Sequence, residues 1–253
     1  MSKLARRFAV AAAACACIGM ATAGSALASL PNYGNVVCSG GGIHAGSYAS
    51  LRITGLCRIP HTATVVVRGD LTVGHHGILD AVTPGTLVVR GDFVVRSGGG
   101  AGVGCSPAAG CSVTTNDRIH GDLIADAPLF LIFHSDWIGG NIVSSGGGGG
   151  VTCDSTVLFG GPPFSTFEDS TVGGHVSISD LHSCWFGFFR NTVAGSVWVT
   201  GNRMADPDAN EIQTNTIGGD LACYHNSPPP QEGDSGGSPN VVAGMKLGQC
   251  AGL

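Results

Sequence analysis

Val67-Arg68-Gly69-Asp70-Leu71, Val89-Arg90-Gly91-Asp92-Phe93 and Ile119-His120-Gly121-Asp122-Leu123 repeat one phrase: an apolar residue, any residue, glycine, a small polar residue, then an apolar strand. Five further copies follow: Ile138-Gly139-Gly140-Asn141-Ile142, Val172-Gly173-Gly174-His175-Val176, Val193-Ala194-Gly195-Ser196-Val197, Ile217-Gly218-Gly219-Asp220-Leu221 and, in weaker form, Val242-Ala243-Gly244-Met245-Lys246. The glycines step along the chain by 22, 30, 19, 34, 21, 24 and 25 residues. One strand signal per period of this length predicts a solenoid, in which each unit buries its apolar face against the next. The expected fold is all-β, a right-handed parallel β-helix of about eight rungs, stapled by disulfides. Val, Ile, Thr, Phe and Gly dominate outside the N-terminus, and helical periodicity is nearly absent there.

Strand alternation assigns the faces. In Val67 to Val73 the odd positions point inward and the even ones outward. The glycine is then an inward position without a side chain, which predicts a corner too sharp for a Cβ. Rungs stack about 4.8 Å apart, so equivalent residues form columns. The column after the glycine reads Asp70, Asp92, Asp122, Asn141, His175, Ser196, Asp220, Met245. Neighbouring carboxylates repel by about 1 kcal/mol in water, and Arg68 and Arg90 beside them offset this. The simplest use of Gly-Asp is turn chemistry, with the carboxylate capping local backbone donors. A bound cation is the alternative, but no EF-hand or nonapeptide calcium pattern is present. As catalytic candidates, Asp70, Asp92 and Asp122 stand one rung apart. That is about 5 Å, near the separation that retaining glycosidases use.

The chain opens with Lys3, Arg6 and Arg7, an apolar run from Phe8 to about Met20, and a small-x-small site at Ala26-Leu27-Ala28. This is the pattern of a secretory signal peptide over 1–28, cleaved after Ala28. Arg6-Arg7-Phe8 hints at twin-arginine export and Ala14-Cys15 at a lipoprotein site, each with an imperfect pattern. Residues 29–253 form one expected domain: an N-terminal cap at 29–60, rungs over 61–222, and a last rung with closure over 223–253. Without 1–28, nine basic residues face 17 acidic ones, a net charge of −8, and Lys246 is the sole lysine. That balance argues against nucleic acid and anionic membrane surfaces as partners. No stretch is long and apolar enough to predict membrane insertion.

Eight cysteines follow the signal segment: Cys38, Cys57, Cys105, Cys111, Cys153, Cys184, Cys223 and Cys250. An even number in an exported chain reads as disulfides. Stacking pairs residues about one period apart, which predicts Cys38–Cys57, Cys153–Cys184 and Cys223–Cys250. Cys105–Cys111 would then close a small loop. Neither Cys-x-x-Cys nor a Cys/His cluster at ligand spacing occurs, so no metal site is expected. The glycine tracts at 97–104 and 146–150 read as low-complexity loops. Neither is a phosphate loop, and no cofactor is expected.

Gly233-Asp234-Ser235-Gly236-Gly237-Ser238-Pro239 resembles the nucleophile motif of chymotrypsin-like serine proteases, which would make Ser235 the nucleophile. The match is read as coincidental. The family's histidine motif is absent, only 18 residues follow Ser235, and the segment sits in a Pro/Gly-rich connector after Pro228-Pro229-Pro230. The histidines form no recognisable ligand set. Aromatic residues cluster between Phe130 and Trp198, and Trp185, Phe186, Phe188 and Phe189 cannot all point inward under alternation. Some of these rings are expected at the surface, as a stacking patch for a carbohydrate or protein partner.

Asn215-Thr216-Ile217-Gly218-Gly219-Asp220-Leu221-Ala222-Cys223, Asn226-Ser227-Pro228 and the stretch from Pro239 to Cys250 resemble the ending of a group of small secreted actinobacterial proteins. No activity is assigned to that group. More broadly the chain resembles right-handed parallel β-helix proteins, among them pectin-degrading enzymes, phage tail fibres and adhesins, so the fold does not carry a function. The leading expectation is a secreted, non-enzymatic structural or binding protein at or beyond the cell surface, with a carbohydrate or a cell-surface protein as partner. The alternative is a carbohydrate-active enzyme using the outward carboxylates.

Overall fold

The computed structural model describes residues 30–107, 110–158 and 160–253. The expected signal segment, 1–28, lies outside the described residues. Alternation builds each pass of the chain. Thr64–Val67 and Leu71–Val73 bury Val65, Val67, Leu71 and Val73 and leave Thr64, Val66 and Thr72 half-exposed. After a turn, Ile78–Ala81 buries Leu79 and Ala81. The next pass, Thr86–Val89, Phe93–Val95 and Gly100–Val103, lies beside the first in parallel: Val67 pairs with Val89, Leu71 with Phe93 and Leu79 with Ala101.

The three-strand cycle continues along the chain. Its first and second strands make an 18-stranded sheet and its third strands an eight-stranded one; a two-stranded pair joins 182–183 to 203–204. Every strand pairing is parallel. On the first face the register runs Val67, Val89, Ile119, Ile138, Val172, Val193, Ile217, Val242. Its offsets equal the glycine steps read from the sequence. An all-β fold of long parallel sheets is the layout that a β-solenoid requires. Pairing begins at Asn32: Asn32–Cys38 lies against Gly46–Ile53, which pairs with Thr64–Val67 and Leu71–Val73. The stretch expected as a cap, 29–60, therefore already carries strands of the same sheet.

The core is a set of columns. Leu71, Phe93, Leu123, Ile142, Val176, Val197 and Leu221 are fully buried one above another. On the third face Phe133 and Phe167 stack at 5.5 Å, and Phe167 meets Phe188 at 6.3 Å. Each such side chain contributes about 1.5–3 kcal/mol on burial. Against the entropy of ordering the backbone, that sum is what holds a chain with no helix among its described residues.

The phrase glycines sit in the bends between the first and second strands of each pass, as expected of a corner, and none from Gly69 to Gly244 in this column has positive φ. They mark a close approach: a Cβ at Gly91 would fall on Oδ1 of Asp70, one at Gly121 on Oδ1 of Asp92, and one at Gly140 on Oδ1 of Asp122. The tract 97–104 is not a loop. It contains strand Gly100–Val103, and a Cβ at Gly100 would fall on the Phe130 ring packed across it. The tract 146–150 is irregular, with positive φ at all five glycines.

Four disulfides link Cys38–Cys57, Cys105–Cys111, Cys153–Cys184 and Cys223–Cys250. Three of them tie residues 19, 31 and 27 positions apart, about one period each. Bonds of this kind form and persist in an oxidising environment.

Candidate functional site

The outward carboxylates Asp70, Asp92 and Asp122 are tied to the backbone of the following pass. The amide of Asp92 donates to Oδ1 of Asp70 at 2.9 Å, that of Asp122 to Asp92 at 2.9 Å, and that of Asn141 to Asp122 at 2.7 Å. The series goes on through Oδ1 of Asn141, Nδ1 of His175, Oγ of Ser196 and Oδ1 of Asp220, which accepts from the Met245 amide. Side chains as different as Asp, Asn, His and Ser share one property here, an acceptor atom close to the backbone. The absence of a Cβ on each glycine is what lets that acceptor approach. The carboxylates thus cap amides about one period away, rather than local ones.

The expected aromatic patch is largely internal. Phe186, Phe188 and Phe189 are buried, and Trp185 is partly buried. Phe186 and Phe188 face the core. Trp185 and Phe189 point the other way, but Gly187 between them has no side chain, so the two rings meet over it with centroids 5.6 Å apart. The Trp185 indole donates to Glu211, and the Arg190 guanidinium covers Phe189 at 5.9 Å. Ser235 lies exposed in an irregular segment, and among the described residues no hydrogen bond reaches it.

A concavity lies at the corner where the third strand of a pass turns into the first strand of the next. Ser135, Asp169, Arg190 and Thr214 adopt positive φ at this corner, as does Gly104. Asp169, Arg190 and Thr214 are each followed along the chain by a buried polar residue that caps an amide of the preceding pass, whereas Asp136, after Ser135, accepts none. The Asn215 amide donates to Asn240, Asn191 to Asn215, Ser170 to Asn191 and Asp136 to Ser170, at 2.9–3.2 Å. After Gly104 the pattern is interrupted by the segment 105–116, which the Cys105–Cys111 bridge gathers in. Asp117 resumes it and accepts from the Leu87 amide at 2.6 Å. The inserted segment walls a groove of about 840 Å³, whose other lining includes Arg118, Asp136, Trp137, Asp169, Thr171 and Arg190.

Arg190 is held by both oxygens of Asp169, at 2.7 and 2.9 Å, and by Glu168 at 2.7 Å. His134, 3.9 Å from Glu168, is pushed below its ordinary value by burial, an effect that Glu168 and Asp169 oppose. The Arg118 side chain makes no hydrogen bond or ion pair among the described residues. It stands in register beside Trp137, whose half-exposed indole lies across Gly139 and against the edge of His120. Burial pushes the Asp117 carboxyl up to about 6, against the hydrogen bonds it accepts. Burial, and then Asp117, raises Asp136 well above the ordinary carboxylate range. Both Asp136 oxygens lack a hydrogen-bond partner; the His134 amide comes near without reaching bonding geometry.

The candidates read from the sequence are therefore not brought together. The Asp column and the 185–189 rings occupy different faces, and the groove is built from residues that the repeat phrase did not single out. A signal existed. Asp117, Asp136, Ser170, Asn191, Asn215 and Asn240 each stand two residues before the apolar residue that opens the phrase, and two carboxylates stand between Val65 and Leu87 on one side of the column and Ser and Asn on the other. Cys153, Cys184 and Asp206 also converge, but the two sulfurs are bonded to each other. No helix among the described residues is long and apolar enough to cross a membrane. A scan of protein-family models, a search of curated proteins and a search of solved structures each find no match.

Proposed function

We propose that the chain is an exported, non-enzymatic binding or structural protein at or beyond the cell surface, built as a right-handed β-helix of about eight rungs. Right-handed crossover is the rule for parallel connections, and four disulfides in a chain with a signal-like start favour export. One observation carries the non-enzymatic reading: each carboxylate of the Asp70–Asp92–Asp122 row is held through Oδ1 by a backbone amide of the next pass. That weighs against a carbohydrate-active enzyme working through this row. The corner groove, with the Trp137 indole beside the uncommitted Arg118, is the surface best suited to a partner, a carbohydrate or a cell-surface protein.

The test is direct. The exported chain should begin at Ser29 by N-terminal sequencing. It should release no reducing ends from a polysaccharide panel, and wild type and Asp92→Asn should behave alike. Turnover that disappears in Asp92→Asn would establish the enzymatic alternative instead.

A further inference from the structure

Asp136 lines the corner groove, and Asp117 stands one pass before it in the same column; both are buried, and the members that follow are Ser170, Asn191, Asn215 and Asn240. Those asparagines suit the position because Nδ2 donates to a carbonyl of the preceding pass while Oδ1 accepts an amide, as at Asn191 with Phe167 and Ser170. Ionised Asp136 cannot donate, and neither of its oxygens finds a donor. It is 3% exposed, so water does not freely compensate it.

Gly104 is where the oxygens converge. Its amide comes near the Asp117 carboxylate, which accepts from the Leu87 amide and from Thr115 Oγ1. The place a Cβ would take at Gly104 falls on the carbonyl oxygen of His134 and lies 2.9 Å from Oδ1 of Asp136. The His134 carbonyl and an Asp136 oxygen thus meet at a residue that has no side chain to intrude, with the Asp117 carboxylate nearby. The donor set is all oxygen, which suits a hard cation rather than zinc.

We propose that Asp117 and Asp136, with the His134 carbonyl, form a Ca²⁺ site beside the corner groove. The ion satisfies the orphaned Asp136 oxygens and allows two adjacent buried carboxylates to be charged together. It also anchors the start of the 105–116 segment, which leaves the wall at Gly104 and returns at Asp117. The site does not depend on what the groove binds.

Calorimetric titration of the chelator-treated, disulfide-intact chain with CaCl₂ tests this. One ion should bind per chain, Mg²⁺ should compete poorly, and the thermal midpoint should rise with Ca²⁺ and fall back on adding a chelator. Asp136→Asn should fold, since Asn fills the same column at 191, 215 and 240, and should weaken Ca²⁺ binding at least tenfold. Asp117→Asn should do the same, whereas Asp92→Asn should bind as wild type does. Absence of binding heat and of a midpoint shift in the wild type would overturn the site, as would unchanged affinity in a folded Asp136→Asn.

Discussion

The amide of Asp122 donates to Oδ1 of Asp92 at 2.9 Å across 30 residues of sequence. A Cβ on Gly121, the residue between this amide and the preceding pass, would fall on that same oxygen. Acceptor and glycine are therefore one device. The glycine admits the side chain, and the side chain satisfies an amide that the bend between two strands would leave unpaired.

Removing the acceptor and keeping it should differ sharply. Asp92→Ala leaves the Asp122 amide without its partner and should cost about 1 kcal/mol. For a domain of this size that lowers the thermal midpoint by about 2–4 °C. Asp92→Asn keeps Oδ1, as Asn141 does in the same column, and should remain within about 0.5 kcal/mol of wild type.

The glycine half of the device is tested by Gly121→Ala. Its Cβ meets Asp92 Oδ1 and also the Gly91 carbonyl at 2.7 Å, so both a side chain and a backbone must shift. Overpacking of this kind costs about 1–3 kcal/mol. Gly34→Ala is the control, because nothing lies within 4 Å of a Cβ there and its φ is not positive. It should be neutral or slightly stabilising, through a less flexible unfolded chain. Urea midpoints measured on both variants give the comparison.

Buried asparagine at the opposite corner is not replaceable by aspartate. Nδ2 of Asn191 donates to the Phe167 carbonyl at 2.8 Å and to Oδ1 of Asn215 at 3.1 Å. Asn191→Asp turns both donations into repulsions and buries a carboxylate with no cation near it. Denaturant unfolding should show a loss of about 3 kcal/mol or more.

The bridges should rank by the loop that each closes. Replacing Cys223 and Cys250, 27 residues apart, with serine should cost about 3–4 kcal/mol, whereas replacing Cys105 and Cys111, six apart, should cost about 2 kcal/mol. Thermal unfolding of the two double variants under non-reducing conditions gives the order.

The register was legible because the repeat phrase is itself the contact between passes: its glycine and polar residue meet their equivalents one period away. The cysteine pairs follow from the same period. Gly100–Val103 was not legible as a strand, since Gly-Ala-Gly-Val carries little strand preference. It is ordered by pairing on both sides, with Ile78–Ala81 and Phe130–His134, and by the Phe130 ring. The 185–189 rings escaped the alternation argument because Gly187 lets Trp185 and Phe189 close over it and Arg190 covers the latter. The groove escaped for another reason: the segment 105–116 parts Gly104 from Asp117 in the sequence.

Residue-resolved amide hydrogen exchange tests the central relationship most directly. In the wild type the amides of Asp92, Asp122, Asn141 and His175 should be protected. In Asp92→Ala the Asp122 amide should lose its protection while that of Asn141 keeps its own. Unprotected exchange at Asp122 in the folded wild type, or an Asp122 amide indifferent to the loss of the Asp92 carboxylate, would contradict the account.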